Sequence, residues 1–117
     1  MHYTEQLRVL TLGDPRRVEA LTSQEELTHS PTEQSVVAAA RLGALIALGG
    51  SVSSYASEID AALAAGLSRP DVVEILLVVT SVVGVPCVVT AAPAVGLALG
   101  YDIDAALEQR DIVEEGS

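Results

Sequence analysis

The 117-residue sequence predicts an all-α, single-domain helical bundle. Three observations carry that prediction. Ser30-Pro-Thr-Glu33 and Ser68-Arg-Pro-Asp71 both read as a capped helix start with proline in the first turn. Glycines close the runs that follow, at Gly49-Gly50, Gly66 and Gly100, where a left-handed residue commonly ends a helix. The length allows one domain with a modest core.

In chain order, Tyr3 to Leu12 reads as a short helix closed by Gly13-Asp-Pro15, and Pro15 to Leu27 as a second. Ser30 then caps a helix, with Pro31 in its first turn and Glu33 closing a capping box. Val36, Val37, Ala40, Leu45, Ile46 and Leu48 continue it as a mostly apolar segment in which Arg41 is the exception. Gly49-Gly50 ends it. A central helix, Ser51 to Gly66, follows at once, so a tight αα-hairpin is predicted.

Ser68 starts the next helix, with Pro70 in its first turn. Between Glu74 and Asp102 there is no charged residue, a length that invites a transmembrane reading. Gly84-Val-Pro86 divides the run, Pro93 and Gly96 interrupt its second half, and no positive cluster flanks it. Valine favours strands locally, but the helix starts on both sides favour two buried helices meeting at Gly84-Val-Pro86. Gly100 ends the second. Asp102 or Asp104 opens a short helix to about Glu108, before a loose tail. The expected organisation is a leader over 1–29, a helical domain over 30–110 and a tail over 111–117.

Half of the residues are hydrophobic, yet Phe and Trp are absent and Tyr occurs three times. The core must come from Ala, Val, Leu and Ile, each of which buries little area. A chain of this kind often completes its burial in a homo-oligomer. The net charge of −10, without clustered Lys or Arg, argues against nucleic acid and against an anionic membrane surface. Cys87 is the only cysteine, so an intrachain disulfide, a cysteine redox pair and a zinc cluster are excluded. No metal or cofactor is implied. No basic region followed by an apolar run opens the chain, so a cytoplasmic location is expected.

The central helix carries the candidate site. Plotted at about 100° per residue, Val52, Ala56, Ile59 and Leu63 form an apolar stripe. Ser53, Ser57, Asp60 and Ala64 form a face suited to water. Ser51, Ser54, Tyr55, Glu58 and Ala62 make the third face, on which Ser51, Ser54 and Glu58 fall within an arc of about 60°. Two readings stay open: the flank of a packed helix, or the floor of a pocket. Ser51 has a structural role available as N-cap. Glu58 is either a solvated or salt-bridged residue, or a carboxyl whose pKa an apolar pocket would raise. Tyr55 is a pocket donor or a subunit contact. His2 and His29 read as surface residues, and Cys87 as a core residue.

From about Ser30 to Leu107 the chain resembles the carboxymuconolactone decarboxylase family, which includes the AhpD-like alkylhydroperoxidases. The resemblance rests on Ala40-Arg-Leu-Gly-Ala-Leu-Ile-Ala-Leu-Gly-Gly50, Ala61-Ala-Leu-Ala-Ala-Gly66 and Val72-Val-Glu-Ile-Leu-Leu77. Between the first two blocks the peroxidase branch reads Cys-x-x-Cys-x-x-x-His. Those places are Ser51, Ser54 and Glu58 here, and a glutamate of that branch falls at Ala39. The decarboxylase branch lacks the cysteines but keeps a histidine at the place of Glu58.

The resemblance implies an AhpD-like bundle assembled as a trimer or hexamer with pockets at subunit contacts. Serine cannot replace a redox thiol, because its alkoxide is too basic and forms no disulfide. A thiol peroxidase is therefore not expected. The expected function is non-redox lyase or decarboxylase-type chemistry on a small metabolite. Glu58 would be the acid or base, with Ser54 and Ser51 in the catalytic group and Tyr55 binding substrate. The alternative is an inactive family member serving as a ligand-binding or oligomeric scaffold.

Overall fold

A computed structural model describes residues 2–28, 32–101 and 108. The described residues are all-α, with no strand among them: α1 (Tyr3–Leu12), α2 (Pro15–Thr22), α3 (Gln24–Thr28), α4 (Gln34–Leu48), α5 (Val52–Ala64), α6 (Arg69–Val83) and α7 (Val85–Ala98). The chain forms two compact units, Met1–Gln34 and Ser35–Ser117.

In the first unit, His2 caps α1 by accepting from the backbone N–H of Thr4 at 3.2 Å, and Gly13 ends it. Asp14 caps α2, ahead of Pro15 in the first turn. The single helix expected from Pro15 to Leu27 is broken at Ser23. Its backbone is extended, and its hydroxyl accepts from the N–H of Glu26 at 3.3 Å, which starts α3. Serine competes for backbone partners in this way and so favours caps over helix interiors. Val9 is buried in this unit, while Tyr3, Leu7 and Leu12 stay exposed.

α4 begins at Gln34, and Glu33 stands before it rather than at the third helical position expected of it. Ser30 and Pro31 lie outside the described residues, as do the expected helix from Asp102 or Asp104 and the tail. The other boundaries match their local signals. α5 follows α4 directly after Gly49-Gly50. It ends in a Schellman motif: Leu67 N–H donates to the Ala62 carbonyl and Gly66 N–H to that of Leu63, both at 3.1 Å. Ser68 and Asp71 close a reciprocal capping box at 3.2 and 2.8 Å. α7 ends in a second Schellman motif around Gly100, with Tyr101 N–H donating to the Gly96 carbonyl at 2.9 Å.

One residue, Gly84, separates α6 from α7. Its φ of 88° and ψ of 157° are open to glycine and strained for other residues. Two helices joined this tightly must fold back on each other. The hydrogen bond from Arg69, at the start of α6, to the Leu99 carbonyl just past α7 shows that they run antiparallel. Pro93 does not interrupt α7, contrary to expectation. Proline here leaves the Val89 carbonyl without its helical donor. Val89 and Pro93 both lie on the exposed face, where water can serve that carbonyl.

The core sits among α4 to α7. Ala38, Leu42 and Ile46 of α4 meet Tyr55, Ile59 and Ala62 of α5, Val72 and Leu76 of α6, and Ala91 and Val95 of α7. Gly43 of α4 faces α6: a Cβ there would stand 3.4 Å from Val79 Cγ1. The buried stripe of α5 is rotated from the one expected. Val52 is exposed and Tyr55 takes its place. The phenol buries more apolar area than a valine can, and its hydroxyl finds a part-buried acceptor in the Leu45 carbonyl.

Leu42→Ala should therefore cost about 2–5 kcal/mol in urea denaturation. Val52→Ala should stay within about 0.5 kcal/mol. Equal losses would put Val52 back in the core.

Candidate functional site

Ser51 is the N-cap of α5. Its Oγ accepts from the backbone N–H of Ser54 at 3.1 Å and lies 2.9 Å from Ser54 Oγ and 3.0 Å from Ser53 Oγ. The serines thus form a hydroxyl cluster committed to the helix start. Four residues on from Ser54, Glu58 points back along the same side. A hollow of about 400 Å³ is lined by Leu45, Ser53, Ser54, Ser57 and Glu58. Ser53 and Ser57, assigned from sequence to the water face, belong to this hollow as well.

Arg41 of α4 closes the arrangement. Its Nε donates to Glu58 Oε2 at 3.0 Å and a terminal nitrogen to Oε1 at 2.8 Å, a two-point ion pair. The Arg41 side chain is 42% exposed and that of Glu58 20%, so the pair sits at the edge of the core. Hydrogen bonding to Arg41 holds the Glu58 carboxyl below its usual range, against the opposing effect of partial burial. Arg41 is correspondingly raised, first by its hydrogen bond to Glu58. The raised pKa expected for Glu58 in an apolar pocket is thus reversed. The competing reading, a salt-bridged glutamate beside helix-end serines, describes the geometry.

Tyr55 does not join Ser51, Ser54 and Glu58. Its side chain is buried, and its hydroxyl donates to the Leu45 carbonyl at 3.4 Å. It lines a separate hollow of about 390 Å³ with Ile46, Gly50, Cys87, Thr90 and Ala94 among its neighbours. Burial pushes the Tyr55 phenol up, with a smaller contribution from the Cys87 thiol. Cys87 is half-buried in the first turn of α7. His2 is occupied at the start of α1, and His29 lies outside the described residues.

Among the described residues, no group of three His, Cys, Asp or Glu could hold a metal ion. No helix among them is long and apolar enough to cross a membrane. No protein-family model, no curated protein and no solved structure matches the chain.

Glu58→Gln should lower stability at neutral pH by about 0.5–1 kcal/mol, the upper range for a partly exposed pair. The folded-state pKa of Glu58 is depressed. Its contribution is therefore complete above the unfolded value of about 4.3 and is lost as pH falls through the folded one. Urea denaturation across that window should bring variant and parent together at the acid end. A difference that persists at about pH 2 would assign the loss to packing instead.

Proposed function

We propose that the chain is a carboxymuconolactone decarboxylase-like protein that serves as a homo-oligomeric scaffold, without acid–base or redox catalysis at its motif positions. The observation that carries this reading is the two-point Arg41–Glu58 pair. A general acid or base works best with a pKa near the operating pH. Arg41 moves Glu58 away from that range. The Ser51 hydroxyl is engaged in the cap, and among the described residues no histidine lines the neighbouring hollow that could activate a serine.

Assembly is supported by the turn end of the α6–α7 hairpin. Leu77, Val78, Val82, Val85 and Val89 are exposed there, Val82 by 86%. No charge interrupts this surface from Ile75 to Tyr101. Soluble monomers rarely leave an apolar face of this kind bare. A second copy presents the same face, as a symmetric interface requires. A hexamer or trimer is the assembly that the family resemblance suggests.

Light scattering at micromolar concentration should report a stable oligomer, and Val82→Glu should dissociate it. A stable monomer would remove the scaffold reading. The catalytic alternative has its own test, an unbiased metabolite screen. If a substrate emerged and Glu58→Gln lost about 10²–10⁴-fold in rate while remaining folded, the lyase reading would replace this one. With thiol reductants no peroxide turnover is expected, and any trace should vanish in Cys87→Ser. Robust turnover surviving that substitution would contradict the non-redox assignment.

A further inference from the structure

We infer that the groove between the start of α6 and the end of α7 binds a medium-chain alkyl carboxylate, its head group on Arg69 and its chain along Ala92 and Gly96. The groove encloses about 660 Å³, within the roughly 300–1,000 Å³ usual for small-molecule clefts. Its floor is Leu76 and Val95, both buried. Ala92 and Gly96, four apart on α7, put little or no side chain into it. Val73 and Leu99 supply apolar walls. From Leu99 to Ala92 the lining follows α7 for about 10 Å, a length matched by a chain of about eight to ten carbons.

Among the described residues, Arg69 is the only charged one in the lining. At the first position of α6 its charge opposes the helix dipole, so α6 itself gains nothing from it. Its Nε donates to the Leu99 carbonyl at 3.3 Å, which orients the guanidinium at one end of the groove. It forms no ion pair among the described residues. A guanidinium carries five N–H donors, and its terminal pair matches the two oxygens of a carboxylate. An apolar trough with one cation at its end is complementary to an amphiphile with one anionic head. The site is also separate from the proposed assembly surface. Val78, Val82, Val85 and Val89 lie on the turn side around Gly84, at the opposite end of the antiparallel hairpin.

Isothermal titration with decanoate, octanoate and decanol, below their aggregation concentrations, tests the inference on the full chain. Decanoate should bind once per chain. Two fewer methylenes should weaken octanoate roughly tenfold or more. Decanol should bind at least tenfold more weakly than decanoate. Arg69→Gln should bring decanoate down to the level of decanol, and Arg69→Lys should restore part of the difference. Ala92→Leu should weaken both ligands by filling the space along which the alkyl chain lies. Circular dichroism of each variant separates these effects from unfolding. The inference is overturned if decanoate does not bind, or if folded Arg69→Gln binds it as the parent does. It is also overturned if Ala92→Leu changes nothing, or if binding is lost in Val82→Glu instead, which would place the ligand on the turn-end surface.

Discussion

Burial of Tyr55, Ile59 and Ala62 sets the rotation of α5, and the rest of the second unit depends on it. With that face inward, Val52 turns out to solvent and Ser54 and Glu58 fall on the flank beside α4. That flank is where Arg41 stands, one residue before the fully buried Leu42. The rotation also separates Tyr55 from the serine cluster, although the two are neighbours in sequence. Leu45 forms the partition: its side chain lines the serine hollow and its carbonyl accepts from Tyr55 on the other side. Two hollows of similar size result, one carrying hydroxyls and a paired carboxylate, the other a phenol and a thiol.

Scarcity of positive charge gives each arginine weight. The chain has sixteen acidic residues and six basic ones. Between residues 35 and 101 the only cations are Arg41 and Arg69. Arg41 is committed to Glu58 by two short hydrogen bonds. A carboxylate held in this way resists protonation, so the pair stabilises the ionised form that a proton donor would have to leave. Arg69 forms no ion pair among the described residues and ties the two ends of the α6–α7 hairpin together through a carbonyl. Its placement makes sense as a link from one helix start to another helix end, where a cation meets the negative pole of the dipole.

The long uncharged run becomes two helices because of one residue. Gly84 takes a backbone conformation that reverses the chain within a single position. Each helix then buries one narrow stripe, Val72 and Leu76 on α6 and Ala91 and Val95 on α7. Valines outnumber what those stripes can cover, and Val78, Val82, Val85 and Val89 lie exposed around the turn. Small side chains leave the two helices close together but the far end of the hairpin hollow, where Ala92 and Gly96 occupy little space.

By itself the sequence determined where most helices begin and end. Those boundaries are local: Ser68 with Asp71, Gly66, Gly84 and Gly100 act within a turn of their own position. It failed locally at Ser23, where a serine suited to either a helix or a cap took the cap, and at Glu33, which stands before α4 rather than inside it. The serine positions and Glu58 were legible as a group, since helical spacing alone puts them on one side. Which stripe of α5 faces inward was not, because Val52 and Tyr55 are both acceptable to a core and only the packed neighbours choose between them. The protonation of Glu58 was not legible either. It hangs on Arg41, seventeen residues away, and electrostatic partners brought together by folding leave no periodic trace in a chain. Arg69 left one local hint, a cation at a helix start, but its partner Leu99 is thirty residues distant, and only the antiparallel fold brings them within reach.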